Sequence, residues 1–240
     1  MPNCSSPRVA TLAFVAVVLS AASVTTAAAQ TIRPLGAEYR SDGRGRIELV
    51  NPTDRPLNVV MEAKGFRVDE SGEVRDEPLP AAVRLRLSAM SLRIPPHQTR
   101  YVFYDASASQ RPAWFVLYAN FTGYSRAQFN GVNVQLELPH FVYLLPNERW
   151  KTGDIAVSGV EFHRDTGKLA FTVENTGAQF GRIDALDVKR SGKKVIGPAF
   201  PLFPQGRRRV ELDWSGDDEP DVVSIRSRDF SLERKLEIRP

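Results

Sequence analysis

The chain has 240 residues, with 32 Lys and Arg against 28 Asp and Glu, a net charge of +4. That balance is too even for a protein held on nucleic acid by its charge. The single cysteine, Cys4, stands near the start, so no intramolecular disulfide supports the rest of the chain and the fold rests on its hydrophobic core.

Residues 1–29 read as a secretory signal: Arg8 gives a positive start, Val9 to Ala22 is an apolar run, and Ala27-Ala28-Ala29 offers a small-residue cleavage site before Gln30. The run is too short for a permanent span, and no later stretch reaches the roughly 18 to 20 apolar residues that a helix needs to cross a bilayer. The expectation is an exported protein beginning at Gln30, without a membrane span, in the oxidising bacterial periplasm.

After the signal, helical periodicity is absent and short alternating or β-branched runs recur between Gly, Pro, Asn and Asp. Strands are expected over Arg46 to Val50, Leu57 to Arg67, Val83 to Leu87, Leu92 to Ile94, Thr99 to Tyr104, Ala113 to Phe121 and Val132 to Tyr143. Asn51-Pro52-Thr53-Asp54 and Ile94-Pro95-Pro96-His97 read as turns, because proline fixes φ and removes a ladder donor. In Ala113 to Phe121, Phe115, Leu117 and Ala119 fall on one face and Trp114, Val116 and Tyr118 on the other, the pattern of a central strand buried on both sides.

Residues 147–153, Asn-Glu-Arg-Trp-Lys-Thr-Gly, have the polar and breaker composition of a linker between a first domain, 30–146, and a second, 154–240. The second segment repeats the β pattern over Ile155 to Phe162, Lys168 to Asn175, Ile183 to Lys189, Val195 to Ile196, Arg208 to Trp214, Val222 to Arg226 and Lys235 to Ile238. About seven short strands per segment predict an all-β chain of two immunoglobulin-like sandwiches in tandem.

The strongest local signal is Val132-Asn133-Val134-Gln135-Leu136-Glu137-Leu138, where aliphatic and polar residues alternate after an Asn130-Gly131 turn. Alternation places Val132, Val134, Leu136 and Leu138 in one apolar row. Such a row has two readings: it covers the chain's own core, or part of it serves another protein. Pro139 removes one donor from the same strand, which suits an edge position.

No motif marks out an enzyme. His97, His140 and His163 are scattered, without the spacing of metal ligands, and no nucleophile, zinc or phosphate-loop pattern occurs, so neither metal nor cofactor is expected. Asp217-Asp218-Glu219 reads as a solvated turn. Arg207-Arg208-Arg209, with Lys189, Arg190, Lys193 and Lys194, reads as charged hairpin ends rather than an anion-binding patch.

Four segments in the first domain resemble, in content and order, the N-terminal domain of periplasmic pilus-assembly chaperones, a family of two-domain immunoglobulin-like proteins. They are Ile47-Glu48-Leu49-Val50-Asn51-Pro52, Ser91 to Arg100, Ala113 to Asn120, and Val132 to Pro146. The resemblance implies a chaperone that lends its last first-domain strand to an incomplete, pilin-like β-sheet subunit, with Val132, Val134 and Leu136 as the lent residues and Leu138 next in line. It also implies a cleft between the domains where an Arg and a Lys hold the subunit's carboxylate. Counting from Ala37-Glu38-Tyr39 and from Pro146, those positions carry Gly36 and Phe141, with Arg33 and His140 as nearby substitutes. Two other readings stand beside strand lending. One is a structural or adhesive cell-envelope protein on the same scaffold, the other a sandwich face that binds carbohydrate; self-association through the same strand is a further option.

Overall fold

The computed structural model describes residues 30–122, 136–214 and 218–238. The first sandwich is built from β1 (Thr31–Arg33), β2 (Gly36–Tyr39), β3 (Gly43–Asn51), β4 (Leu57–Val68), β5 (Val74–Glu77), β6 (Val83–Leu87), β7 (Ser91–Ile94), β8 (Gln98–Ala108), β9 (Ala113–Thr122) and β10 (Leu136–Leu144). One sheet runs β1-β3-β8-β6 and the other β2-β10-β9-β4-β5, with β7 also pairing β4. Ile47, Leu49 and Val102 from the first sheet meet Phe115, Leu117, Phe121 and Val142 from the second in one core of side chains withdrawn from water. β1 and β2 lie in different sheets, so the chain crosses between the layers at Pro34 and leaves β2 parallel to β10.

The second sandwich follows with β11 (Ile155–His163), β12 (Lys168–Asn175), β13 (Gly181–Ile183), β14 (Ala185–Arg190), β15 (Lys193–Gly197), β16 (Phe200–Leu202), β17 (Arg207–Asp213), β18 (Val222–Arg226) and β19 (Ser231–Lys235). These strands form β11-β12-β17, β13-β16 and β15-β14-β18-β19 around a core that includes Phe171, Leu186, Val188 and Ile225. Two immunoglobulin-like sandwiches in tandem are therefore what the alternation predicted. Within residues 147–153, Trp150 is buried in this second core, and its indole N–H donates to Asn175 Oδ1 at 3.2 Å.

One predicted strand is misplaced: Lys235 to Ile238 suggested the last strand, which the structure sets at Ser231–Lys235. There Leu232 is buried while Leu236 turns inward just past the strand end, so the apolar residues that drew the prediction sit in the segment that leaves the sheet. The strand expected over Ile183 to Lys189 is split at Asp184 into the end of β13 and β14, and four short elements, β1, β2, β5 and β16, have no predicted counterpart.

Both domains close a strand with the same side-chain device. Asn51, fully buried at the end of β3, donates to the carbonyls of Arg55, Ile94 and Pro95 at 2.7, 3.0 and 3.0 Å. Its Oδ1 accepts from the Thr53 N–H and hydroxyl at 3.0 and 2.7 Å. Asn175, equally buried at the end of β12, donates to the Gln179 and Leu202 carbonyls at 2.7 and 3.3 Å and accepts from the Gly177 N–H at 3.0 Å.

The predicted two-faced burial of β9 has a physical cause that the strand alone did not reveal. Phe115, Leu117 and Ala119 face the first core, whereas Val116 and Tyr118, with Trp114 beside them, join a separate cluster containing Phe66 and Tyr143 of the first domain and Phe180 and Phe203 of the second. The second face of β9 is thus covered in part by the neighbouring domain, at Trp114, and in part by β4 and β5, whose Lys64 and Asp76 meet Tyr118.

Candidate functional site: an open strand edge above an aromatic cleft

β10 pairs with β9 along its whole described length, from Leu136↔Phe121 to Leu144↔Ala113. On its other side β2 covers it only from Phe141↔Gly36 to Leu144↔Tyr39. Among the described residues, no strand pairs with the outer side of Leu136 to His140. The Phe141 N–H donates to the Leu35 carbonyl at 2.9 Å, so the odd-numbered residues of β10 turn their backbone groups away from β9. Glu137 and Pro139 therefore face the open side. The missing N–H of Pro139 costs the β9 ladder nothing, and Glu137 is left with the outward donor of this stretch.

The side chains obey the alternation read from the sequence. Leu136 and Leu138 point toward the first core and are half-buried against it, whereas Phe141 and Tyr143 point to the second domain. Val132 and Val134 lie outside the described residues.

Gly36 and Phe141 are register partners on adjacent parallel strands. The two positions where a basic pair was expected therefore do meet, without their charges. A Cβ at Gly36 would stand 3.1 Å from the Phe141 carbonyl oxygen, tighter than ordinary contact. Phe141 packs edge-on to Phe66 at 5.1 Å. Phe203 reaches in from the second domain to Trp114 at 4.8 Å, Phe180 at 5.3 Å and Phe66 at 5.8 Å.

The cations at the cleft are matched by acids. Glu38 lies 3.1 Å from Arg182 and 3.7 Å from Arg228, and Arg40 lies 3.8 Å from Asp229. These pairs line a recess of about 260 Å³ between the domains. The β4–β5 hairpin adds a second contact between the domains, its Glu70 carbonyl accepting from the Arg209 N–H at 2.9 Å. A Cβ at Gly72, whose φ is +90°, would overlap the Arg208 guanidinium, so the hairpin tip needs glycine.

The two substitute anchors are not brought together. Arg33 is exposed on β1 opposite Glu48, in the sheet remote from the cleft. His140 is fully buried. A carbonyl only accepts, so His140 Nδ1–H donates to the Pro34 oxygen at 2.6 Å. The bare Nε2 then accepts from the Tyr104 hydroxyl at 3.1 Å, which in turn accepts from the Tyr39 hydroxyl at 2.7 Å. This chain ties β2, β8 and β10 across the sandwich.

Desolvation pushes the His140 pKa down, opposed by the bond to Pro34, and the imidazole stays neutral in the fold. The unfolded chain takes up that proton near an ordinary histidine pKa of about 6.5. Stability from this group is thus present above that pH and is lost as pH falls below it. Acidification from neutral to about pH 5 should lower the first domain's melting temperature. His140→Gln should flatten that slope in a thermal melt series, and an unchanged slope would assign the acid sensitivity to other groups.

The basic residues of the second domain are largely occupied. Arg207 pairs with Glu174 at 3.1 Å, Arg209 with Glu161 at 3.0 Å, Lys189 with Glu233 at 3.1 Å and Lys194 with Asp187 at 2.9 Å. Arg208 stacks over Phe200 at 5.7 Å. His97 sits in the β7–β8 turn, 2.7 Å from Asp54, and Glu219 bridges Arg164 at 2.6 Å. Among the described residues, no cluster of three His, Cys, Asp or Glu has the geometry to hold a metal.

No protein-family model matches the chain, and no curated protein matches it by sequence. Solved structures do match. The chaperone SafB of Salmonella enterica, solved with the pilin SafA, aligns with a TM-score of 0.55 and 10% identity over 87% of this chain and 96% of its own. The chaperone YadV aligns at 0.54 with 13% identity over 86% of this chain and 99% of its own. CsuC of Acinetobacter baumannii, solved in a pre-assembly complex with the tip subunit CsuE, aligns at 0.50 with 13% identity over 88% and 98%. The fold is that of these fimbrial chaperones, at 10 to 13% sequence identity.

Proposed function

We propose that the protein is a non-enzymatic, cofactor-free periplasmic chaperone that binds a secreted, pilin-like β-sheet subunit by adding the open stretch of β10 to it. The observation that carries this reading is the edge itself: β2 stops covering β10 at Phe141, and Leu136 and Leu138, which the sequence alternation groups with Val132 and Val134, lie along the uncovered stretch. A sandwich lacking a strand has unpaired backbone and an apolar groove, and an added strand satisfies both. SafB and CsuC were each solved with a fimbrial subunit bound. With Gly36 and Phe141 at the meeting point of β2 and β10, retention of the subunit would depend on the ladder and the aliphatic row, not on capture of its carboxylate.

The half-burial of Leu136 and Leu138 against the first core favours one other reading, a structural or adhesive envelope protein in which the row is only core. Co-purification of the protein from the periplasm of its host, with mass spectrometry of what stays bound, separates the two. Strand lending predicts a small β-rich secreted subunit, lost from Val134→Asp and from Glu137→Pro while circular dichroism is unchanged. Recovery of no subunit, or of a second copy alone, would sink it. Unfolding of the first domain by Val134→Asp would support the core reading, because a buried unpaired charge is not tolerated.

A further inference from the structure

The sheet β1-β3-β8-β6 turns its outer face away from β10 and the second domain, and that face has an unusual composition. Register sets Arg46 beside Phe103, Arg44 beside Asp105 and Asp105 beside Arg86, with Arg84 one step further along β6. Paired residues of an antiparallel ladder share a face, so Arg44 and Arg46 form one row and Arg84 and Arg86 another, on either side of β8. Between them, at the end of the β8 row nearer β7, stand Tyr101 and Phe103, 45% and 54% exposed. Arg46 lies over the Tyr101 ring at 5.2 Å, and Asp105 is 3.4 Å from Arg44. Arg84 and Arg86 have no ion-pair partner among the described residues. A recess of about 800 Å³ runs between the rows, floored by Phe103 and Asp105.

Charged side chains on the edge strand β6 are ordinary protection against edge-to-edge pairing. The same account reaches Arg44 and Arg46, because β1 pairs β3 only from Glu48 to Val50 and leaves that stretch open, but it does not extend to β8, which lies between β3 and β6. Nor does it explain two large exposed rings set among guanidinium groups.

We propose that this face is a docking surface for an extended acidic polypeptide segment. Residues two apart on a strand stand about 6.8 Å apart, so each arginine row repeats at that interval, which is also the interval between alternate side chains of an extended peptide. Alternate carboxylates thus fall in step with Arg44 and Arg46 or with Arg84 and Arg86, each taken by a planar, two-pronged donor. Apolar side chains between them meet Phe103 and Tyr101. A second copy of the chain is a poor occupant, since it would set arginine rows against arginine rows. The surface is separate from the open edge of β10, so Glu137→Pro leaves it intact and the two proposals fail independently.

The test is fluorescence anisotropy of a labelled peptide alternating Glu and Thr, titrated with the purified protein. The expected result is saturable binding that weakens as salt rises from roughly 50 to 200 mM and is absent for the peptide with Gln in place of Glu. Arg44→Ser combined with Arg46→Ser, and separately Arg86→Ser, should each weaken binding by about tenfold or more with circular dichroism unchanged. Phe103→Ser should weaken it without altering the salt slope. Absence of binding, equal binding by the arginine variants, or equal binding of the Gln peptide overturns the proposal. Tighter, arginine-dependent binding of polygalacturonate than of the peptide also overturns it and assigns the face to an anionic glycan.

Discussion

Asn51→Ala is expected to cost the first domain about 3 to 5 kcal/mol, because a buried polar hub is removed while its partners stay. One side chain gives three donated bonds, to Arg55, Ile94 and Pro95, and accepts two from Thr53. The substitution leaves the Ile94 carbonyl and the Thr53 N–H seeking partners where Asn51 admitted no water. Each bond is worth only about 1 kcal/mol net, but each unsatisfied buried group costs about 1 to 3 kcal/mol, and the second term dominates. Against a typical domain stability of about 5 to 15 kcal/mol, the first domain would be left marginal. A denaturant titration checks this: the transition that unfolds the first domain should move to a sharply lower midpoint. A loss below about 1 kcal/mol would mean that water replaces the amide.

Phe203→Ala should uncouple the two domains. Phe203 is buried and its ring contacts Phe66, Trp114, Tyr143 and Phe180, so truncation removes three ring contacts across the boundary, leaves Phe180 on Tyr143 at 4.7 Å, and costs about 3 to 5 kcal/mol. The ion pairs at the same boundary cannot compensate. Arg182, Arg228 and Arg40 are all well exposed, and such pairs contribute roughly 0 to 1 kcal/mol each. Neither domain core contains Phe203, so both sandwiches should survive. Calorimetry should show two separate unfolding transitions where the parent shows one or a closely coupled pair, and X-ray scattering should show a broader distribution of sizes. A single transition, merely shifted, would place the coupling in the Phe180–Tyr143 contact and in the β4–β5 hairpin with its bond to Arg209.

Alternation was a good guide wherever one face of a strand is buried. Val83–Leu87 and Lys168–Asn175 are strands with the predicted ends, and β3, β4, β8 and β9 differ from expectation only by short extensions. It failed where no face is buried. β5, Val-Arg-Asp-Glu, is exposed at every residue, and its existence depends on pairing with β4 alone, which leaves no apolar trace in the sequence. β1 and β2 are three and four residues long and interrupted by Pro34, too short for a period to register.

At the candidate site, the resemblance, counted from Ala37-Glu38-Tyr39 and from Pro146, picked out Gly36 and Phe141 separately, and the structure makes them register partners on a parallel pair that the sequence did not announce. What fills the cleft was not legible. Trp114 read as core, but the ring packed on it, Phe203, comes from the other domain, and no local pattern announces a contact so distant in sequence. His140 illustrates the same limit: its neighbours in sequence say nothing of the hydroxyl chain through Tyr104 and Tyr39 that receives it. Asn51 and Asn175 did leave a signal, since each ends an alternating apolar strand and opens a turn, at Asn51-Pro52-Thr53 and Asn175-Thr176-Gly177.

Amide hydrogen exchange of the protein, alone and in complex with whatever it captures, tests strand lending most directly. The Glu137 N–H faces the open side of β10, so the account predicts rapid exchange in the free protein and strong protection in the complex, with the β9-paired amides of His140 and Val142 protected in both. A captured partner that leaves the Glu137 amide exchanging freely would contradict it, because no strand could then have been added at that edge.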